Sequence, residues 1–309
     1  MSVHWLLERE RDWTRVRGRD RTGFLQGMLS NDVAGLGPGQ GCYAFQLDST
    51  GHVLADPHVL VFEDHLLLGV EEGAGEGLRE RLESYCVMER CVFEAVGAEF
   101  STLSVFGEGT PEWVGSRIVS VDRNASEGTH WNASELVEGA ILFKAGPIAW
   151  PWYRLVFPRR LEALVADRMA KLGALVADPS EWLRWRISVG MPVHGIDFDS
   201  RTLAMESGQV GRAIHFRKGC YIGQEIVARI DARGKVHRTI VPLDTVGADD
   251  PGAPLTLSGR EVGRITSHIV DAELRTGVGL GIVRAEGIEH RPWLEWGTGR
   301  ARVRAEATP

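Results

Sequence analysis

One eight-residue stretch, KGCYIGQE at positions 218–225, restricts the structure and chemistry of this 309-residue chain more than any other. The mostly apolar run 213–216 before it predicts a short strand, and residues 226–230 after it predict the start of a helix. Gly219 and Gly223 allow a sharp turn and a close approach to a ligand. A neighbouring lysine and a helix N-terminus both favour the thiolate form of the cysteine. The stretch therefore predicts a strand-to-helix turn whose cysteine is either reactive or buried and inert.

Composition and charge restrict the class of protein. The length predicts two or three domains with buried cores, and 43% hydrophobic with 25% charged residues is typical of a globular protein in water. The net charge of -7 argues against a protein that coats nucleic acid, although it allows a local basic pocket for an acidic ligand. The N-terminal segment has no signal-peptide pattern, and no run reaches the ~18 apolar residues of a membrane span. We therefore expect a cytoplasmic protein.

The four cysteines, at positions 42, 86, 91 and 220, are too few and too scattered for a disulfide framework. Cys86 and Cys91 have four residues between them, but no second pair and no nearby histidine completes a metal site. We interpret both as core or strand residues, with a metal or redox role as the alternative. No metal site is expected elsewhere in the chain.

Hydrophobic periodicity predicts the order of elements in the first half of the chain. Apolar residues at helical spacing predict a helix over residues 20–33, with Asp20 as its N-cap and a polar Asn31-Asp32 corner at its end. Strand patterns follow from residue 40 to residue 106, interrupted by a helix over residues 78–85. One further strand is predicted at residues 117–121. Strands, a helix and strands again are typical of an α+β module rather than of a βαβ array.

The second half of the chain changes from helices to short strands. A strand is predicted at residues 153–157 and a helix over residues 160–172. Asp178, Pro179 and Glu181 have the spacing of a helix N-terminus. From residue 236 onward, short strand patterns separated by glycine, proline and aspartate predict a small β-barrel or sandwich.

Four segments of this sequence resemble the YgfZ family of folate-binding proteins, which are relatives of the glycine-cleavage T-protein, an aminomethyltransferase. The segments are FLQG at 24–27 with Asn31-Asp32 after it, RISVGMP at 186–192, KGCYIGQE at 218–225, and VGRITS at 262–267. The resemblance implies an α+β fold with three domains around a central channel for tetrahydrofolate. The first domain would comprise residues 1–46 and 148–236, the middle domain residues 47–147, and a C-terminal β-barrel residues 237–309.

The resemblance also implies which residues form the site. Cys220 and Lys218 would be catalytic. Residues expected to contact the folate are Asn31, Asp32, Arg186, Glu206, Tyr221, Gln224, Glu225 and Arg229. A basic cluster for the folate glutamate tail would consist of Arg212, Arg217, Lys218 and Arg229.

Two of these residues have alternatives. Ser188 stands where the T-protein has a glutamate that grips the pterin ring. Without that glutamate, either the ring is held differently, for example by Glu206, or the affinity for folate is low. Arg186 lies in a tryptophan-rich helix and could instead be a stacked structural arginine.

Two functional classes compete, beside a third in which the protein is a scaffold with a vestigial channel. The first is a folate-binding protein that assembles or repairs iron–sulfur enzymes, including ones that modify tRNA. The second is a folate-dependent aminomethyltransferase or methyltransferase. In the T-protein a catalytic aspartate lies in a stretch that corresponds to residues 68–77 here, where there is none. The T-protein also has no cysteine at the position of Cys220. Both differences favour the first class.

The partners follow from the first class. We expect a monomer that binds tetrahydrofolate and works with iron–sulfur client enzymes or assembly proteins. We expect it to contact neither nucleic acid directly nor a membrane.

Overall fold

The computed structural model describes residues 2–8, 11–110, 114, 137, 139–146, 152–247, 253–271 and 275–304, and the backbone of residues 129–133. The strand predicted at 117–121 lies outside the described residues. The chain divides into two compact units. The first unit comprises Met1–Leu47, Leu54–Pro179 and Arg212–Ile222, and the second comprises Asp48–Val53, Ser180–Gly211 and Gly223–Pro309. The division into three domains around a channel stays a prediction.

An eleven-stranded sheet forms the frame of the first unit. Along the chain the strands are β1 (His4–Glu8), β2 (Asp12–Arg17), β3 (Gln40–Tyr43), β4 (Gln46–Leu47), β5 (Val53–Ala55), β6 (His58–Val61), β7 (Leu66–Val70), β8 (Val92–Ala95), β9 (Phe100–Phe106), β10 (Thr129–Ala133), β11 (Ile141–Lys144), β12 (Trp152–Pro158) and β13 (Leu175–Val176). The order in the sheet is β13-β1-β9-β12-β11-β10-β3-β6-β7-β2-β8, and β4 and β5 form a separate two-stranded sheet. Its pairs are antiparallel except for the parallel pair β1 and β13.

Among the described residues, three helices bury their apolar faces in this unit: α1 (Arg21–Met28), α2 (Gly75–Tyr85) and α3 (Glu162–Lys171). In α1, Phe24, Leu25 and Met28 recur three and four residues apart and pack in one core cluster with Leu78 and Leu82 of α2. A second cluster packs Val165 and Met169 of α3 with residues of β1, β9, β11 and β12. The first of these clusters contains Met28 and so fixes the end of α1, where the candidate site lies.

A closed six-stranded barrel forms most of the second unit. Three further helices precede the barrel in the sequence: α4 (Pro179–Ser188), α5 (Val210–Ala213) and α6 (Gln224–Arg233). The last two residues of α5 belong to the first unit. The barrel consists of β14 (Arg238–Val246), β15 (Pro254–Leu257), β16 (Arg260–Asp271), β17 (Thr276–Arg284), β18 (Leu294–Trp296) and β19 (Gly299–Val303), with helix α7 (Ala285–Ile288) after β17. The strand order β14-β17-β16-β15-β18-β19 closes because β19 pairs with β14. Among the described residues, no helix is both long and apolar enough to cross a bilayer.

The structure confirms the mixed α+β class and the C-terminal barrel, and it corrects three local predictions. The prediction of a strand at residues 213–216 is wrong. The Ala213 carbonyl accepts a hydrogen bond from the Ser30 hydroxyl, and the His215 N–H donates to the Ser30 carbonyl. These backbone groups therefore bond to the end of α1 instead of to a strand ladder.

The first helix is shorter than predicted, ending at Met28 rather than at residue 33. Leu29 is extended, and the Ser30 N–H donates to the carbonyl of Phe45. Asp20 precedes the helix, but its carboxylate makes no capping bond and accepts from the Arg90 N–H at 2.8 Å. Strand β18 was not predicted, because it has only three residues.

Candidate functional site

The cysteine loop, residues 217–222, is attached to the C-terminal end of α1 within the first unit. The Gln26 side-chain amide donates to the Lys218 carbonyl at 3.0 Å, and the Ile222 N–H donates to the Gly27 carbonyl at 3.3 Å. In return, the Lys218 ammonium donates to the carbonyls of Gln26 and Leu29. The FLQG helix and the cysteine stretch are therefore one assembly, although more than 180 residues separate them in sequence.

Asn31 and Asp32 belong to the same assembly. The Gln26 amide donates to the Asp32 carboxylate at 2.9 Å. The Asn31 amide nitrogen donates to the carbonyls of Tyr43 and Arg212, and its oxygen accepts from the Asp32 N–H. Every polar group of the Asn31 side chain is thus used inside the unit, which gives this residue a structural role whether or not it borders a ligand.

Lys218 completes the C-terminus of α1, where a cation is favoured by the helix dipole. Its ammonium also lies 4.9 Å from the centre of the Tyr221 ring. Burial lowers the pKa of Lys218 to about 8, although the nearby Asp32 and Cys42 oppose this shift. Burial raises the pKa of the Tyr221 hydroxyl to about 12. Lys218 therefore attaches the loop to α1 and also contacts Tyr221.

Two thiols in this region have opposite surroundings. Cys220 is exposed, so its burial as an inert core residue, the alternative left open by the sequence, is excluded. Cys42 is fully buried under the same assembly, and burial raises its pKa to about 12 despite the charge of Lys218. Gly219 and Gly223 on either side of the exposed thiol have φ of +95° and +83°, which glycine adopts without strain. The loop thus presents one accessible sulfur on a fixed backbone.

A network of two buried arginines and two partly buried glutamates lies in the same unit. Glu71 accepts from Arg11 and from Arg154 at 3.3 Å, and Glu8 pairs with Arg154 at 3.2 Å. Burial opposes ionisation of Glu71, but the charges of Arg11 and Arg154 outweigh it and lower its pKa to about 2. The segment 68–77 contains three glutamates; Glu72 and Glu76 are exposed, and Glu71 is committed to two arginines.

Arg212 joins this interior rather than a surface basic cluster. Its guanidinium lies 4.0 Å from the centre of the Tyr43 ring and donates to the carbonyl of Ala145. Burial lowers the Arg212 pKa to about 10. Arg217, by contrast, is exposed on the cysteine loop. The predicted basic cluster therefore includes one arginine that is used inside the fold.

Sequence analysis missed Asp56, a carboxylate that is only 8% exposed. It accepts a hydrogen bond from the Tyr43 hydroxyl at 2.8 Å, and burial together with its charge raises the Tyr43 pKa well above the ordinary value. The signal was available, because an aspartate and a histidine interrupt the apolar run 53–61. Acidic residues within such a run are buried only with partners.

The buried His58 lies between the guanidinium groups of Arg154 and Arg212. Its two ring nitrogens lie 3.4 Å from the Arg154 guanidinium and 3.3 Å from the Arg212 guanidinium. Burial, followed by the charges of Arg154, Arg212 and Arg11, lowers the His58 pKa well below the ordinary value. The imidazole is therefore neutral in the folded protein at neutral pH.

We expect His58→Gln to flatten the loss of stability on mild acidification. In the unfolded chain the imidazole takes up a proton near pH 6.5, whereas the folded protein resists it, so unfolding is favoured as pH falls below about 6.5. One such proton costs up to about 1.4 kcal/mol per pH unit. Urea unfolding between pH 5 and pH 7 measures this slope. The control His290→Gln removes an exposed imidazole and should leave the slope unchanged; equal slopes in all three proteins would contradict the assignment.

In the second unit, Arg186 holds α4 to the barrel. Its guanidinium donates to Asp197 at 2.5 Å, to the Met191 carbonyl at 2.9 Å and to the Ser267 hydroxyl at 2.8 Å. Thr266 and Ser267 donate to the other oxygen of Asp197, each at 2.7 Å. Arg186 and Asp197 are 2% and 1% exposed. The arginine of RISVGMP and the Thr-Ser of VGRITS thus meet at an aspartate that no local pattern singled out.

The other predicted folate contacts of the second unit lie at α6 and beside it. Glu206 is buried and accepts from Arg238 at 2.9 Å. The short turn that contains Glu206, Ala204–Glu206, contacts α6. Gln224 and Glu225 form the first turn of α6, and Arg229 is exposed one turn later. A cavity of about 460 Å³ opens beside this turn, lined by Glu206, His237, Arg238, Arg260, Arg284, Ala285 and Glu286.

Comparison with known proteins gives relatives of three kinds. No protein-family model matches the chain. The tRNA-modifying protein YgfZ of Sodalis glossinidius is 28% identical over 78% of this chain and 72% of its own length. The mitochondrial iron–sulfur cluster assembly factor IBA57 of Homo sapiens is 26% identical over 89% of this chain and 76% of its own length. The mitochondrial aminomethyltransferase of Gallus gallus is 25% identical over 88% and 72%.

A plant relative is longer than this chain. A chloroplastic protein of Arabidopsis thaliana named as a transferase is 22% identical over 88% of this chain, but the match spans 63% of the plant protein, less than two thirds. Among solved structures, the glycine cleavage system aminomethyltransferase T from Bartonella henselae has the same fold. Its TM-score is 0.81 at 16% identity, covering 99% of this chain and 86% of that protein. The chain belongs to the superfamily that contains the YgfZ proteins and the glycine-cleavage aminomethyltransferases.

Proposed function

We propose that this protein binds tetrahydrofolate and uses the Cys220 thiol in the assembly or repair of iron–sulfur enzymes, including enzymes that modify tRNA. The observation that carries the proposal is the exposure of Cys220 on a loop that Lys218 and Gln26 attach to α1. A thiol in such a position can attack a disulfide, accept an oxidant or bind iron in transit. Relatives named for tRNA modification and for iron–sulfur cluster assembly support this direction.

The chemistry of the second unit fits a folate. A pterin ring presents a guanidine-like edge that pairs with carboxylates, and the glutamate tail presents carboxylates that pair with arginine. The cavity beside Glu206 offers both kinds of partner, since Glu206 and Glu286 line it together with Arg238, Arg260 and Arg284. Glu206 would hold the pterin edge in the absence of a glutamate at Ser188, and Arg229 would bind the tail. Contacts of Asn31, Asp32, Gln224 and Glu225 with folate stay predictions.

Arg229→Ala should weaken the binding of tetrahydrofolate by about 1–3 kcal/mol, because it removes a charge-assisted hydrogen bond to the tail. Isothermal titration calorimetry of the wild type and the variant measures the difference. Arg233→Ala is the matched control, since it removes an exposed arginine one turn further along α6. Equal affinities of the two variants would remove Arg229 from the site, and no binding by the wild type would favour the scaffold alternative.

Aminomethyl transfer is the second candidate, and two observations favour it. The fold matches an aminomethyltransferase closely, and Asp56 supplies a buried carboxylate outside the stretch 68–77. We nevertheless expect no transfer, because the stretch 68–77 has no aspartate and its partly buried glutamate, Glu71, is paired with Arg11 and Arg154. An assay with aminomethylated lipoyl carrier protein and tetrahydrofolate decides between the candidates. Turnover above background would assign the protein to the transferases.

A further inference from the structure

Cys86 and Cys91 form a pair of thiols in the first unit that the proposed function does not use. Cys86 ends α2 and Cys91 precedes β8, so the four residues 87–90 form the connection between them. The two thiols are close enough to affect each other's ionisation, and the Cys86 thiol donates to the Glu89 carbonyl at 3.4 Å. Both side chains are partly exposed and pack against the core cluster of α1 and α2.

The backbone holds both cysteines in place. The Cys86 N–H donates to the carbonyls of Leu82 and Glu83, each at 3.1 Å. On the other side, the Arg90 N–H donates to the Asp20 carboxylate at 2.8 Å. Gly18, at φ +106°, packs so closely that a Cβ there would lie 1.8 Å from the Arg90 carbonyl oxygen. These contacts therefore fix the backbone at both ends of the connection.

The surroundings of the pair favour its neutral forms. Burial, the neighbouring Cys86, and the acidic Asp20 and Glu89 raise the pKa of Cys91 to about 12. A pair of thiolates would be disfavoured here, whereas a disulfide carries no charge and avoids this cost. Among the described residues, no three histidine, cysteine or acidic side chains are grouped as ligands for a metal ion. The pair is thus suited to redox chemistry rather than to a structural metal.

We propose that Cys86 and Cys91 close reversibly into an intramolecular disulfide by exchange with small disulfides such as oxidised glutathione. One cysteine, as thiolate, attacks a sulfur of the small disulfide, forming a mixed disulfide and releasing one thiolate that takes up a proton. The second cysteine loses its proton and attacks the protein sulfur of the mixed disulfide, which releases the second small thiol. Two protein thiols are oxidised and one small disulfide is reduced to two thiols.

Closure would link the end of α2 covalently to the start of β8. The side chains of Val87 and Met88 between them are 82% and 90% exposed, so the connection is accessible to an oxidant of this size. The disulfide would form without Cys220, because the thiol of Cys220 lies on the separate loop attached to α1. Failure of this proposal would leave the proposed function intact, and the reverse also holds.

The test is peptide mapping of the wild-type protein after equilibration with mixtures of reduced and oxidised glutathione. Free thiols are blocked with N-ethylmaleimide in the native state before digestion. Trypsin cleaves after Arg81 and Arg90, so the two cysteines lie in different peptides that only a disulfide can join. We expect the joined peptides to become the major form as the oxidised fraction rises, and dithiothreitol to separate them.

Internal and variant controls come from the other cysteines. Cys220 is exposed and should form a mixed disulfide with glutathione, whereas the buried Cys42 should stay unmodified until unfolding. In Cys86→Ser, Cys91 has no partner and should appear as a free thiol or a glutathione adduct. Separate Cys86 and Cys91 peptides under conditions that modify Cys220 would overturn the proposal.

Discussion

Asp197→Ala is expected to destabilise the second unit by about 3–5 kcal/mol, because the Arg186 guanidinium would stay buried without its carboxylate. Asp197 accepts from Arg186, from the Val193 N–H, and from Thr266 and Ser267. Removing it therefore takes the carboxylate from four donors, of which Thr266 keeps a second acceptor, the Leu280 carbonyl at 3.1 Å. A cost of this size is a large part of the net stability of an ordinary domain.

Urea unfolding followed by tryptophan fluorescence measures this effect, since Trp182 and Trp185 stack on α4 beside Arg186. The matched control is Asp199→Ala. That carboxylate lies two residues further along the chain and pairs at 2.6 Å with Arg201, whose side chain is 80% exposed. An exposed pair of this kind contributes about 0–1 kcal/mol. Similar losses in the two variants would show that Asp197 does not hold the unit together.

The barrel strands and Asp197 illustrate what the sequence could and could not predict of the fold. The barrel strands alternate and are separated by turn residues, so local patterns sufficed for their approximate bounds. Asp197 has no such signal, because its burial depends on Arg186 and on Thr266 and Ser267, which are distant in sequence. The end of α1 was predicted wrongly for a similar reason. Its last carbonyls bond to Lys218, which lies 192 residues from Gln26, and no local spacing indicates a partner so far away.

The candidate site was predictable to the extent that short motifs mark it. KGCYIGQE and the FLQG segment with Asn31-Asp32 were identified separately, and the structure brings them together through Gln26. The role of Lys218 could not be predicted, because adjacency to Cys220 in sequence does not determine where a long side chain ends. Its ammonium donates hydrogen bonds to the carbonyls of Gln26 and Leu29 at the end of α1. The reactivity expected for Cys220 therefore depends chiefly on exposure and on the fixed loop.

Under the proposed function, Cys220→Ser is expected to abolish the support of iron–sulfur enzymes. In a strain that lacks its own YgfZ-type protein, the variant should restore these enzyme activities no better than the empty vector. A hydroxyl has nearly the shape of a thiol, but it ionises far less readily and is a poor ligand for iron. Because Cys220 is exposed, the free energy of unfolding should change by less than about 0.5 kcal/mol.

Cys86→Ser is the matched control, because it makes the same change from sulfur to oxygen at a partly exposed thiol that the proposed function does not use. It should restore the enzymes as the wild type does. Full rescue by Cys220→Ser would show that the sulfur is dispensable and would end the proposed role of the thiol. The bonds from the cysteine loop to α1 use backbone groups, Gln26 and Lys218, all of which remain in Cys220→Ser. A failure to rescue by a normally folded variant would therefore be due to the missing sulfur and not to a displaced loop.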